Sequence, residues 1–347
     1  MRVGVIAEGP VERIVLALGF APVPLADTMV ALLLARTVMT ATKLGVFEVL
    51  ADGPLTVEQV ATRCHTEVGA TAKLLFALSG ARYVRASGDG YSLDRIAKKW
   101  LLHGSDASLH DAVLHRYLDA ALMENAEEFV RTGESVHFHA RMSPEEWALY
   151  QRGQRAHAVY AAPEVARRVP LPAKPLRMLD IGGGHGYFSV ALCRRYPELR
   201  STVLDLPQAA AHSAPRLAGE DVGDRIDYHV GDARREDLGK DRYDLVLMAN
   251  LVHHFDAATN RDLTRRIAVA LRPGGFHVVL EFFRPGSARR AGQTGALLDF
   301  YFGMASAAGT WSVEDIAGWQ RAAGLVARRP RKLFTAPGQG LQAARKP

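Results

Sequence analysis

The run Leu179-Asp180-Ile181-Gly182-Gly183-Gly184-His185-Gly186 constrains this chain more than any other stretch. An apolar segment at 177–181 leads straight into glycines, and a helical pattern begins at about residue 187. Glycine lets a backbone approach a ligand without a Cβ in the way. A strand, a glycine turn and a helix N-terminus together make a nucleotide-type site. A dinucleotide fingerprint wants another glycine three residues after Gly184, and Tyr187 stands there. The loop is therefore Gly-x-Gly-x-Gly, which suits a nucleoside without a pyrophosphate.

Downstream, strands are expected at 201–206, 226–230, 243–248 and 276–282, with helices at about 187–195, 207–218 and 258–271. The alternation predicts a parallel α/β sheet. Such sheets bind ligands beyond the carboxyl ends of their strands, and acids stand at two of those ends. Asp205, in Val203-Leu204-Asp205-Leu206-Pro207, can accept from both hydroxyls of a ribose. Asp232, in Gly231-Asp232-Ala233, can accept an adenine amino group. Either acid alone also fits a strand end or a helix cap; two at successive strand ends point to a ligand.

The first half of the chain reads as helical. After a Gly- and Pro-rich arm with a short helix at 11–18, apolar residues from Asp27 to Leu50 recur at helical steps, with Asp27 or Thr28 as cap. Thr56 and Gln59 form a capping box for a second helix, and a third follows at about 70–80. A hairpin turns at Ser87-Gly88-Asp89-Gly90, completing a winged-helix pattern. Helices at about 107–131 and 144–169 precede a stiff linker, Pro170-Leu171-Pro172-Ala173-Lys174-Pro175. A chain of 347 residues suggests two domains. Two cysteines, Cys64 and Cys193, allow neither a disulfide framework nor a Cys-x-x-Cys metal pair, in keeping with a reducing cytoplasm. The apolar run Met29–Leu34 is cut by Arg36 and Lys43, so no membrane span is expected, and no signal peptide is recognised. The net charge of +6 is spread out, and its densest runs, Arg284 to Arg290 and Arg328 to Lys332, read as solvated surface.

These motifs, followed in order by Leu251-Val252-His253-His254-Phe255-Asp256 and by Arg272-Pro273-Gly274-Gly275 before a strand ending in Glu281, carry a resemblance. The chain resembles the small-molecule O-methyltransferase family typified by plant caffeate-type enzymes and bacterial antibiotic-tailoring enzymes. The resemblance implies a C-terminal Rossmann-like class I methyltransferase sheet at 173–347, an N-terminal winged-helix dimerisation domain at 1–105, and a helical connector at 106–172 that adds to the substrate pocket. It implies S-adenosyl-L-methionine as cofactor, a homodimer and a small hydroxylated acceptor, without a nucleic acid, membrane or metal partner. Gly182, Gly184 and Gly186 would line the methionine moiety, Asp205 the ribose and Asp232 the adenine, with Asp180, Leu206, Ala233 and Asn250 as further cofactor neighbours. His253 falls on the family's catalytic base, and Glu281 on the acid that supports it. Trp147, Tyr150, His254, Asp299, Phe302 and Met304 are acceptor-pocket candidates. Two positions depart from the family pattern: His254 stands where Asp often follows the base, and Thr310 where a second acid often stands.

The chemistry is consistent with these residue types. A phenol with a pKa near ~10 is mostly protonated at neutral pH, and a histidine with a pKa near ~6.5 is a suitable proton acceptor. Adjacent histidines ligate one ion poorly, and no Cys or His-x-x-x-His partner is nearby. The same scaffold could methylate nitrogen or carbon, or bind the cofactor without methyl transfer, as hydroxylase-like relatives do. Nucleic-acid methylation is disfavoured: the Asn/Asp-Pro-Pro-aromatic motif is absent and neither cysteine follows a proline. A winged-helix DNA-binding regulator would need a basic recognition helix, and Gly69 to Gly80 offers only Lys73.

Overall fold

The computed structural model describes residues 3–306 and 308–347. The chain divides into two compact units at Tyr117, within the helix His110–Met123.

In the first unit, helices Val57–Cys64 and Val68–Gly80 precede a hairpin of β1 (Val84–Ser87) and β2 (Gly90–Leu93). Thr56 and Gln59 make the expected capping box, and Glu67 caps the next helix by accepting from Gly69 and Ala70. The hairpin gains a third backbone partner where Leu55 pairs with Tyr91. Phe47, Leu50, Val60, Leu75, Leu78, Val84 and Leu93 fill the core. The expected helix from Asp27 to Leu50 is different in detail. It starts at Val23, runs through a π-helical segment at Ala26–Val30 and ends at Lys43; Val46–Val49 follows separately. Pro24 sits in the first turn, where its missing N–H costs nothing, so the helix opens before the expected cap. Thr28 donates back to the Pro24 carbonyl instead of capping. Gly45, at φ +75°, breaks the run. The resulting helix, Val23–Lys43, has 21 residues and is by length and composition apolar enough to cross a membrane, contrary to the shorter run expected. Leu32, Leu33, Met29 and Val30 are exposed on it.

The second unit holds a doubly wound sheet. Its strands are β3 (Arg177–Ile181), β4 (Arg200–Asp205), β5 (Ile226–Val230), β6 (Tyr243–Ala249), β7 (Leu271–Phe282), β8 (Val326–Ala327), β9 (Arg331–Lys332) and β10 (Gln339–Arg345). The order is β5-β4-β3-β6-β7-β10-β8, with β9 also on β10. The first five are mutually parallel, as expected, but β10 runs antiparallel to β7, so the sheet is mixed. Side chains alternate across the sheet. Met178, Val203, Leu245, Leu247 and Val278 face one apolar layer, and Leu179, Leu204, Val246, Met248 and Val279 face the other. The expected helix at 107–131 is two, His110–Met123 and Ala126–Thr132, while Pro144–Arg168 is one long helix opened by the Ser143/Glu146 capping box.

The pairing of β6 with β7 has one irregularity. Two steps along β6, Tyr243 to Leu245, are matched by five along β7, Leu271 to Phe276. The surplus forms the turn at Arg272-Pro273-Gly274-Gly275, where Gly274 has φ +82°. A Cβ on Gly275 would lie 3.1 Å from the Tyr243 carbonyl oxygen. Beyond the turn the register is regular through Ala249 and Leu280.

Candidate active site

Strand order reverses at β3, and the site lies at the carboxyl ends of the strands around it. The glycine loop leaves β3 there. Gly182, Gly184 and Gly186 have φ of +65°, +48° and +65°, a left-handed conformation that side chains rarely adopt. Space forbids side chains as well. A Cβ on Gly182 would lie 2.6 Å from the Leu251 side chain, and one on Gly186 would lie 2.5 Å from Leu217.

Asp205, at the end of β4, faces this loop. Its Oδ2 accepts from the Gly184 N–H at 2.7 Å and its Oδ1 from the Leu206 N–H at 2.7 Å. A carboxylate has about four acceptor sites, so one on each oxygen is left for the two hydroxyls of a ribose. Burial raises its pKa, and the two N–H donors oppose that. Asp232, just past β5, is held by Arg234, whose Nη2 is 2.7 Å from Oδ2 and whose own N–H reaches Oδ1. Arg234 keeps the Asp232 carboxyl below its usual pKa. An adenine amino group would share this acid with the guanidinium. Ala233 accepts from Arg266 through its carbonyl, and Asn250, at φ +52°, accepts from Gln339 at 2.9 Å.

Asp180 was expected at the cofactor, but its side chain lies beneath the loop. It is fully buried, accepts from Ser189 Oγ at 2.7 Å, and a Cβ on Gly183 would lie 2.7 Å from its Cγ. Burial pushes its pKa up to about 7, with Asp205 adding to the rise. Its Oδ1 is enclosed without a partner. The residue supports the loop from below. Two contacts escaped the sequence reading. Gln151, on the long helix, would be 3.1 Å from a Cβ on Gly184, and Tyr228 donates to the Gly184 carbonyl at 3.1 Å. Beside the loop, Arg152, Arg155, His185, His212 and Arg216 line a cavity of about 170 Å³ suited to an anionic group.

The histidine pair follows β6 on a short 3₁₀ turn, Val252–His254. Leu251 packs against the glycine loop, so this turn abuts the cofactor side directly. The turn is pinned from behind. Asn260 donates to the carbonyls of Val252 and Phe255 at 2.9 Å each, and the Trp311 indole N–H reaches the same two at 3.0 and 3.2 Å. Ser306 donates to the His253 carbonyl. His253 Nδ1 is 2.8 Å from Glu281 Oε2, with the residues 2% and 0% exposed. Glu281 Oε1 accepts from the Phe282 N–H at 2.8 Å. Because the carboxylate only accepts, Nδ1 carries the proton, and in the neutral ring Nε2 keeps a lone pair. Phe302 stacks on the His253 ring at 3.9 Å and 29°.

The acceptor-pocket candidates divide. Trp147 and Tyr150 contact each other and His139, and His139 contacts His254. Met304 packs as core with Leu122 and Ala305. Asp299 is engaged by Thr310, which donates to it through both its hydroxyl and its N–H. The position where a second acid was missing thus meets an acid from the helix Gln293–Ala305.

A family model described as the O-methyltransferase domain matches residues 115–321, and one described as the O-methyltransferase dimerisation domain matches residues 26–103. The chain is 29% identical over 262 residues to the N,N-dimethyltransferase OxyT of Streptomyces rimosus, covering 71% of this chain and 74% of that one. It is 26% identical over 333 residues to the 3-hydroxy-5-methyl-1-naphthoate 3-O-methyltransferase of Streptomyces sahachiroi, covering 91% and 93%. Human N-acetylserotonin methyltransferase in complex with S-adenosylmethionine has the same fold, with a TM-score of 0.82 at 20% identity over 99% of each chain.

Proposed function

The chain belongs to the O-methyltransferase family, and from that premise we propose that it methylates a hydroxyl of a small aromatic or polyketide-like metabolite, with His253 as general base. The observation that carries this reading is the enclosed His253–Glu281 pair beside the glycine loop. S-adenosylmethionine is the cofactor and supplies an electrophilic methyl group.

The residues of this chain do the rest. Asp205 takes the ribose hydroxyls with its two remaining acceptor sites, Asp232 takes the adenine amino group, and the glycine loop follows the amino-acid portion. His253 accepts the hydroxyl proton at Nε2. Glu281 fixes the imidazole tautomer and stabilises the cation that forms. Trp147, Tyr150 and Phe302 provide ring surfaces for a planar acceptor. Holding two reactants in line is worth roughly 7–11 kcal/mol in well-oriented systems, so positioning carries most of the task.

The relative that acts on a naphthoate hydroxyl supports the aromatic acceptor. The exposed apolar helix Val23–Lys43 overlaps the dimerisation match, which supports a homodimer packed through that helix. A labelled-methyl assay over hydroxylated aromatics and polyketides, with mass spectrometry of the product, tests the reading. His253→Ala should keep S-adenosylmethionine binding and lose turnover. Full turnover in this variant refutes the base.

A further inference from the structure

Three imidazoles stand in series beside the proposed base. The His253 and His254 ring centroids are 4.2 Å apart. His139, from the short helix Phe138–Arg141, stands edge-on to His254 at 4.8 Å and 85°. Trp147 and Tyr150 flank His139 at 5.4 and 4.8 Å. All of these residues lie within the second unit.

His253 is committed to Glu281, whereas the His139 and His254 side chains make no hydrogen bond among the described residues. Nor are their nitrogens sealed. In His277 both ring nitrogens are cut off from solvent and from partners, and His139 and His254 differ in this respect. Both residues are half-buried. Burial lowers the pKa of His139 to about 4 and that of His254 well below its ordinary value, with the neighbouring imidazoles adding to both. Each is therefore neutral at neutral pH, with one donor and one acceptor to offer. The acids of the region are committed elsewhere: Glu281 is enclosed behind His253, and Asp299 is held by Thr310.

We propose that His139 and His254 together read a hydrogen-bonding oxygen on the position next to the methylated hydroxyl. The acceptor is then a phenol with a carbonyl, carboxylate or hydroxyl ortho or peri to the reacting group. This rests on the reading of His253 as base. With the reacting hydroxyl at His253 Nε2, the next imidazole along meets the next substituent of a planar ring. An acceptor without that oxygen covers two polar rings and leaves them unpaired, which a desolvated site penalises. Position 254 brings no negative charge here, so a carboxylate neighbour is not repelled.

The test uses matched pairs: catechol against hydroquinone, salicylate against 4-hydroxybenzoate, and 1,8- against 1,5-dihydroxynaphthalene. Binding to the enzyme saturated with S-adenosylhomocysteine is measured by calorimetry, and methyl transfer from labelled S-adenosylmethionine is measured in parallel. The ortho or peri member should bind at least ~10-fold tighter, the size of one buried hydrogen bond. His139→Phe and His254→Phe should each cut that ratio, and His139→Gln, which keeps a donor and an acceptor, should preserve it. A ratio near one in wild type, an undiminished ratio in both Phe variants, or binding of no member of any pair overturns the inference. Equal methylation of both members overturns it while leaving the proposed function standing. Failure to bind S-adenosylmethionine overturns the function itself.

Discussion

Replacing Glu281 by Gln tests the orienting role with almost no change of shape. The carboxylate uses both oxygens: Oε2 takes the His253 ring at 2.8 Å and Oε1 takes the Phe282 N–H at 2.8 Å. Gln has one oxygen. If that oxygen keeps His253, the new NH₂ faces the Phe282 N–H; if it keeps Phe282, the NH₂ faces the protonated Nδ1. In the first case a buried N–H loses its acceptor; in the second the ring either loses its partner or moves its proton to Nε2, which removes the basic lone pair. In both, the cation that forms at His253 loses its counter-charge. A hydrogen bond to a charged group is worth about 1.5–3 kcal/mol net, and each 1.36 kcal/mol is tenfold in rate. Glu281→Gln should therefore lower kcat by roughly 10- to 150-fold. Cofactor affinity should stay unchanged, because Asp205 and the glycine loop are untouched. Single-turnover methyl transfer with saturating cofactor, alongside calorimetric titration of S-adenosylmethionine, separates the two. A kcat within about twofold of wild type refutes the orienting role, a difference too small for a lost charged hydrogen bond. An equal loss of cofactor affinity shows a general packing defect instead.

Three further outcomes are expected. S-adenosylmethionine should raise the thermal midpoint of wild type, and Asp205→Ala should abolish that rise; a full shift in the variant contradicts the ribose assignment. His277 is buried on β7 with its pKa lowered to about 3 from 6.5, so the unfolded chain binds the extra proton and stability falls as pH drops below 6.5. At pH 5 this amounts to about 2 kcal/mol, and His277→Leu should remove that part of the acid slope in urea titrations at pH 5 and pH 7; an unchanged slope contradicts the burial argument. Leu32→Glu with Leu33→Glu should convert a dimer to a monomer in sedimentation, since both side chains are exposed on an apolar helix; a monomeric wild type contradicts the dimer.

The sheet was largely legible because its central strands are long apolar runs. β3 and β5 fall at the expected residues, β6 runs one residue further, and β4 is shifted by one residue toward the N-terminus. β10 was not legible. Gln339 to Arg345 contains neither a β-branched nor an aromatic residue, and the strand exists because seven of its residues pair with β7. The acids at strand ends were readable from spacing, but Asp180 was not, because which way a side chain turns at a strand end depends on Ser189 and Val203 around it. The partnership of His253 with Glu281 entered through family resemblance, since nothing local links residues 28 apart. His139 left no signal at all. Its significance comes from rings that the fold brings to it across more than a hundred residues.

The surplus turn between β6 and β7 sets different tolerances at the two ends of one strand. At Arg272 to Gly275 the strand already carries residues without a partner on β6, and only Gly274 and Gly275 are tied down, by backbone hydrogen bonds with Lys346. A residue inserted at Arg272 or Pro273 therefore lengthens a bulge and travels no further. From Phe276 onward every residue is in register with β6 or β10, and an inserted residue has no slack to enter. A one-residue slip in a strand moves each side chain to the opposite face. Inserted between Phe276 and Leu280, a single residue would turn the Glu281 carboxylate away from His253 and toward the other apolar layer. The strand is therefore forgiving of length at its start and intolerant at its end. In a natural or engineered library, insertions should collect at 272–273 and be purged from 276–281.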